Sequence, residues 1–213
     1  MAVSFSEKML LLPPMLEWKE YIPSILHMIW VGPEDPPSYC MENYQRWKEL
    51  MPSWTVRLWT NADIEEFPKG VADTIHTANK GAQKADIMRY TIMETYGGVY
   101  MDADVTPHRS LDPIRTMGKV VLCHDLPITW AYIAIGFFAA VPHHPLFQKA
   151  CELCRKAKLN TPDIHLHTGP RILGEAMSVF DTHEKVVVLA PRFLYRNAAF
   201  EGRFGTHTYA KHW

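Results

Sequence analysis

Residues Lys84 to Val105 read KADIMRYTIMETYGGVYMDADV, and this stretch decides the fold class. Ala85, Met88, Ile92 and Tyr96 recur at three- and four-residue spacing, which predicts a helix over 82–96 with one apolar face. Gly97 is a natural left-handed stop for that helix. Val99 to Met101 then resumes as a short strand that runs straight into Asp102. A helix, a glycine turn, a strand and two acids in succession describe a protein whose chemistry sits where a strand ends.

Working outward, Ile25 to Val31 (ILHMIWV) is a continuous apolar run closed by Gly32 and Pro33, as in a strand buried on both faces. Ser38 is expected to cap a helix through Met51, with Met41, Tyr44, Trp47 and Leu50 on its apolar side. Trp54 to Trp59 (WTVRLW) reads as a second strand, after which Asn61 is expected to cap a short acidic helix. Further strands are expected at Val120 to His124, Tyr132 to Ala140 and Val186 to Leu189, and helices at Pro145 to Leu159 and Pro170 to Phe180. This alternation predicts an α/β fold with a mostly parallel central sheet flanked by helices. In such sheets ligands bind beyond the carboxyl ends of the strands. Trp30 and Asp102 to Asp104 both fall there.

The 213 residues suit a single domain over 1–213, which a longer protein could also carry as a module. A net charge of −1 argues against a phosphate backbone as partner, so no nucleic acid is expected. The four cysteines are scattered, which fits a reducing compartment. Cys151 and Cys154 lie in LFQKACELCRKAKL, an amphipathic helical pattern, and are expected to pack in the core. MLLLPPML, Met9 to Leu16, is short and broken by prolines, so no secretory signal is expected. No apolar run approaches the ~20 residues of a membrane span. The expectation is a soluble protein of the cytoplasm, or of the host cytoplasm if the chain is viral.

Asp102 and Asp104 are separated by one small residue. Two adjacent carboxylates repel unless something positive lies between them, and a hard divalent cation, Mn²⁺ or Mg²⁺, answers that need. A bare DxD is common by chance and reads equally well as two solvated loop acids. The preceding helix adds Asp86 and Arg89, three apart and therefore neighbours on one helix face.

With that context, KADIMRYTIMETYGGVYMDADV resembles the signature of DXD-containing glycosyltransferases of the GT-A fold. It is most similar to family 32, and similar to the core of the large clostridial glucosylating toxins. IPSILHMIWVG (Ile22 to Gly32) resembles that group's opening strand, PSWTVRLWT (Pro52 to Thr60) its second strand, and YAKHW (Tyr209 to Trp213) its closing element. The compact form also resembles the N-terminal domain of a chlorella-virus glycosyltransferase. The matches run in the family's order over nearly the whole chain.

The resemblance implies a metal-dependent transfer of a sugar from a nucleotide-diphosphate donor, with a UDP-sugar favoured, to a glycan or other hydroxyl acceptor. It implies retention of anomeric configuration, through front-face attack with the leaving phosphate taking the acceptor's proton. Trp30 would stack on the base beside the backbone of Ile29, although a core tryptophan is an equal reading of the residue itself. Asp86 and Arg89 would meet the donor's sugar and diphosphate, with Lys84 adding positive charge. Tyr100 would line the nucleotide site. Asp102 would reach the ribose and the metal, Asp104 would bind the metal directly, and His212 would complete its protein ligands. A histidine next to the last residue is otherwise expected to fray.

The chain departs from the family at Ala134 and Ile135, where many members carry an asparagine. His143-His144-Pro145 is expected to form a turn, with reach toward the acceptor as the other reading. Thr168-Gly169-Pro170 could place backbone N–H groups at a helix start, a favourable anion site. Two rivals remain at this stage. Asp102-Ala-Asp104-Val-Thr106 fits the DxDxT of haloacid-dehalogenase phosphatases, but no adjacent acidic pair follows downstream. A non-catalytic nucleotide-sugar binder would use the same residues.

Overall fold

The computed structural model describes residues 22–124, 133–178, 186–193 and 210–211. Among them, strands β1 (Ile25–Ile29), β2 (Thr55–Trp59), β3 (Gly98–Met101), β5 (Val120–His124), β6 (Ile133–Ala140) and β7 (Val186–Leu189) form one sheet in the order β2-β1-β3-β6-β5-β7. All pairings are parallel except those of β6, which runs against β3 and β5. The mostly parallel α/β sheet expected from the sequence is therefore present. A separate pair joins β4 (Thr106–Pro107) to β8 (Ala210–Lys211).

Helices α1 (Ser38–Leu50), α2 (Lys69–Thr77), α3 (Gly81–Tyr96), α4 (Pro145–Arg155), α5 (Ile164–His167) and α6 (Pro170–Ser178) flank the sheet. The core divides into two clusters. One holds Trp59, Tyr90, Tyr100, Phe138 and Phe147, and the other Met28, Trp47, Met101 and Phe137. Alternate residues of β3 and β6 enter opposite clusters, as the two-residue period of a strand requires.

Several local expectations are corrected. The cap of α1 is Pro37, with no side-chain cap bond, and its buried residues are Cys40, Asn43 and Trp47. Met41 and Leu50 are exposed. Trp47 belongs to both the expected and the observed face, but two polar-looking positions, not the flanking hydrophobes, complete the seam. Thr60, not Asn61, caps the 3₁₀ turn Asn61–Glu66 through a reciprocal bond with Asp63. The side chain of Asn61 instead clasps Gly32, accepting from its N–H at 3.2 Å and donating to its carbonyl at 2.6 Å.

Helix α3 is buried well beyond the expected stripe, since Asp86, Arg89 and Tyr90 are covered too, and Tyr96 is exposed. Gly97 has φ 60° and ψ −146°, outside the left-handed helical well though still at positive φ. A side chain there would bring a Cβ to 2.5 Å from the Pro142 nitrogen, so the α3–β3 corner admits only glycine. At the other end of α3, a Cβ on Gly81 would lie 2.4 Å from the Val31 carbonyl oxygen, so the helix start presses directly on the exit of β1.

His27, inside the apolar run of β1, is 2% exposed. Its Nδ1 accepts from the Trp59 indole N–H and its Nε2 donates to the Gly97 carbonyl, both at 3.1 Å. Burial drives its pKa down to about 4, with Arg57 adding to the fall and the bond to Gly97 opposing it. It is a neutral core histidine that ties β1, β2 and the α3–β3 corner together.

Candidate active site

The carboxyl ends of β1, β2, β3, β5 and β7 share one edge of the sheet, and the acids stand at its centre. β3 stops at Met101. The N–H of Asp102 still bonds to the Gly136 carbonyl on β6 at 2.9 Å, and the N–H of Val105 donates to the Asp102 carbonyl at 3.1 Å. Asp102 and Asp104 thus occupy the first and third positions of a tight turn, set against β6 on one side. Ala103 and Val105, between and after them, are buried.

Arg89 reaches this turn from α3. It is 6% exposed and lies 3.3 Å from the Asp86 carboxylate and 3.4 Å from the Asp102 carboxylate. It also donates to the Ile135 carbonyl on β6 at 2.8 Å, and its guanidinium sits 4.8 Å from the Tyr100 ring centroid. Burial works against its charge, but Tyr100, Asp102 and Asp86 outweigh that and raise its pKa. The Tyr100 hydroxyl donates to the same oxygen of Asp102 at 2.7 Å. Burial, and then Asp102, push that hydroxyl well above its ordinary range, while Arg89 opposes the shift.

Asp86 is fixed on its far side by the Thr168 hydroxyl, which donates to it at 2.9 Å. The Tyr90 hydroxyl donates to the Gly169 carbonyl at 3.1 Å, docking the same segment on α3. The N–H groups of Thr168 and Gly169 both donate to the Ile164 carbonyl, so the anion-site reading of Thr168-Gly169-Pro170 is replaced by this docking role. At Ala134 and Ile135, where the family's asparagine is missing, the backbone of β6 supplies the contacts.

Trp30 follows β1 directly. Its backbone N–H bonds to the Trp59 carbonyl at 2.8 Å and its indole N–H donates to the Glu34 carbonyl at 3.1 Å. The ring is partly exposed, whereas Ile29 beside it is buried. Asn61 and Gly81 brace the same exit loop. The edge therefore brings together Ile29 and Trp30, Asp86 and Arg89, and Tyr100, Asp102 and Asp104. His212 lies outside the described residues. Its neighbour Lys211 pairs with Thr106, two residues beyond Asp104.

His143 and His144 lie at the opposite edge, beside the start of β3. His144 caps α4 by accepting the Leu146 N–H at 3.2 Å, and His143 pairs with Glu94 at 3.2 Å. They form the expected turn and do not face the acids. Burial pushes the thiols of Cys151 and Cys154 up to about 11 and about 12, and both cysteines pack on the core.

Sequence reasoning missed Asn43. It is 4% exposed in mid-helix, and its amide donates to the Ala103 carbonyl at 3.2 Å. The sequence offered no local signal for it, because the apolar periodicity of α1 points to Met41, Tyr44 and Leu50 instead.

Residues 37–120 match the family model described as "Glycosyltransferase sugar-binding region containing DXD motif". The span runs from α1 through the acids to the start of β5. Residues 37–120 thus carry the sugar-binding region of the DXD-containing glycosyltransferases. The chain is similar to inositol phosphoceramide mannosyltransferase 1 of Schizosaccharomyces pombe, 29% identical over 206 residues, covering 91% of this chain and 63% of the relative. A mannosyl phosphorylinositol ceramide synthase of Saccharomyces cerevisiae is 33% identical over 135 residues, 62% of this chain and 34% of the relative. The chain thus spans less than two thirds of the length of either yeast relative.

Among solved structures, the PaToxG glycosyltransferase superposes with a TM-score of 0.59 at 16% identity, over 74% of this chain and 68% of that one. A glycosyltransferase involved in glycosylation of the major capsid of PBCV-1 gives 0.56 at 11% identity, over 89% and 93%. At these identities the likeness is one of fold, and the fold of this chain is GT-A. The family model places the two aspartates in a DXD sugar-binding region, which speaks against the phosphatase reading of DxDxT. No helix among the described residues is long and apolar enough to cross a membrane.

Two aspartates with no third acidic, histidine or cysteine ligand among the described residues suit Mg²⁺ or Mn²⁺. Such ions take one or two protein carboxylates and complete their shell with water and substrate phosphates.

Proposed function

We propose that this glycosyltransferase moves a hexosyl group from a nucleotide-diphosphate sugar, a UDP-sugar by preference, to a hydroxyl of a glycan or other acceptor, with retention. The observation that carries the reading is Arg89, buried and bridging Asp86 to Asp102 at the turn that holds the DXD acids. A surface pair would be worth little. A buried guanidinium shared by two carboxylates beside a third acid is an arrangement for setting carboxylate geometry.

In this reading Asp102 and Asp104 hold Mn²⁺ or Mg²⁺, with His212 as a third ligand. A divalent ion supplies Lewis-acid stabilisation to the departing diphosphate. Arg89 fixes Asp102 and adds positive charge where negative charge develops. Tyr100, buried with its hydroxyl on Asp102, acts on the site through that carboxylate. Asp86, held by Thr168 and Arg89, faces the donor sugar, and Trp30 offers its ring to the base at the end of β1. The mannosyl activity in the yeast relatives' names favours a hexose donor.

The test is release of nucleoside diphosphate from UDP-hexoses and from GDP-mannose in Mn²⁺, with and without excess EDTA, for wild type and Asp104→Ala. The reading expects turnover that EDTA and the substitution both abolish. Turnover that survives metal removal would overturn it. Nucleotide-sugar binding without any turnover would support a non-catalytic binder instead.

A further inference from the structure

Asparagine is a poor residue for the buried middle of a helix. Its amide competes with the backbone, and burying it without a partner is costly. Asn43 nevertheless sits at 4% exposure between Cys40 and Trp47 on the covered face of α1. Its amide donates to a group far away in sequence, the Ala103 carbonyl at 3.2 Å. That carbonyl belongs to the peptide unit joining Ala103 to Asp104. The unit is planar, so holding its oxygen also fixes the direction from which Asp104 leaves the turn.

The turn is restrained at three points. The Asp102 N–H is held by Gly136 and the Val105 N–H closes on the Asp102 carbonyl. These bonds fix the Asp102 end and the span of the turn. Arg89 and Tyr100 act on the Asp102 side chain alone. Asn43 is the restraint placed at the Asp104 peptide. Packing of α1 on β4 keeps the helix in position to supply it.

We propose that Asn43 is a positioning residue for the metal site, which sets the Asp104 carboxylate by fixing the Ala103–Asp104 peptide. The proposal rests on the metal-dependent transfer reading. Partners one shell out from metal ligands orient them, and losing one typically costs about 10- to 100-fold in metal affinity.

The test uses Asn43→Leu, which keeps the branched shape of the side chain, with somewhat more volume, and removes the amide. Trp47→Phe, one turn along the same buried face, serves as the packing control. Mn²⁺ affinity is measured by electron paramagnetic resonance with uridine diphosphate or guanosine diphosphate present, and amide hydrogen exchange is followed at residues 102–105 without metal. Asn43→Leu should weaken Mn²⁺ by about 10-fold or more and speed exchange at Val105. Trp47→Phe should do neither.

Equal Mn²⁺ affinity in Asn43→Leu and wild type would overturn the assignment, as would equal losses in the two variants. Failure of wild type to bind Mn²⁺ with either nucleotide would sink the transfer reading itself. The exchange comparison would then decide alone whether Asn43 holds the turn, and unchanged exchange at Val105 would remove that too.

Discussion

Replacing Arg89 by methionine removes the guanidinium that bridges Asp86 and Asp102 while keeping much of the side chain's volume. The site is nearly dry, with side-chain exposures of 8% for Arg89 and 5% for Asp86, and 28% for Asp102. The guanidinium touches both carboxylates at 3.3–3.4 Å and donates to the Ile135 carbonyl at 2.8 Å. Removing one partner of a buried pair typically costs about 3–5 kcal/mol, because the remaining charge loses its compensation. Asp102 is open enough to recover some hydration, so most of the cost falls on Asp86, which also accepts from the Thr168 hydroxyl. A domain of this kind holds roughly 5–15 kcal/mol in total, so a loss of about 3 kcal/mol lowers a urea midpoint visibly without abolishing folding.

The same reasoning predicts a pH dependence in the variant. Without Arg89, the pKa of buried Asp86 should rise above its unfolded value. The variant then recovers stability, relative to wild type, as the pH falls and Asp86 takes a proton. Neutralising Asp86 directly should have the same effect. The assay is urea unfolding of wild type, Arg89→Met and Arg89→Met/Asp86→Asn at pH 7 and pH 5. The double variant should regain at least about 1 kcal/mol over the single one, the scale of coupling between residues in contact. A single variant within about 0.5 kcal/mol of wild type, the range of ordinary surface substitutions, would refute the reasoning. A double variant less stable than the single one would refute it equally.

Trp30→Ala should weaken nucleotide diphosphate binding roughly 5- to 150-fold, from about 1–3 kcal/mol of base stacking; calorimetry with uridine and guanosine diphosphates checks this, and unchanged affinity for both removes Trp30 from the base site. His27 has a folded pKa depressed to about 4, against ~6.5 unfolded, so its contribution is complete above pH ~6.5 and is lost as pH falls toward 4. Between pH 7 and pH 4.5 this amounts to about 2–3 kcal/mol, and His27→Phe should show a correspondingly flatter fall in urea stability, whereas an identical slope would exclude His27 as its source. His212→Ala should weaken Mn²⁺ in the presence of uridine diphosphate, and the wild-type advantage should shrink below pH ~6.5, where free imidazole protonates; equal affinities across pH would remove His212 from the ligand set.

Much of the fold could be read from the sequence because its strands and α3 carry strong local signals. Ile25–Ile29 and Val120–His124 are apolar runs apart from His27 and His124, and Gly97-Gly98 marks a corner that no other residue can make. The acids could be found from their spacing at a strand end. What stayed hidden depends on who faces whom. The periodicity of α1 pointed at Met41 and Leu50, but β4 and the DXD turn approach the helix on the side of Cys40, Asn43 and Trp47. Asn61 was read as a cap because cap chemistry is local. Its actual partner, Gly32, is brought to it by the parallel pairing of β1 and β2. Thr168 was read through its own helix start, while Asp86, far away in sequence, determined its role.

These long-range contacts share a direction. Asn43 from α1, Arg89 from α3, and Ile135 and Gly136 from β6 all converge on the four residues after β3. α1 contributes a side-chain amide, α3 a guanidinium and β6 its backbone. Asp102 is held in advance of any ligand by Tyr100 and Arg89, and Asn43 holds the Ala103–Asp104 peptide beside it. The β4–β8 pair extends the same logic on the far side of the turn. Antiparallel pairing of Pro107 with Ala210 and of Thr106 with Lys211 carries that strand back along the chain toward the acids.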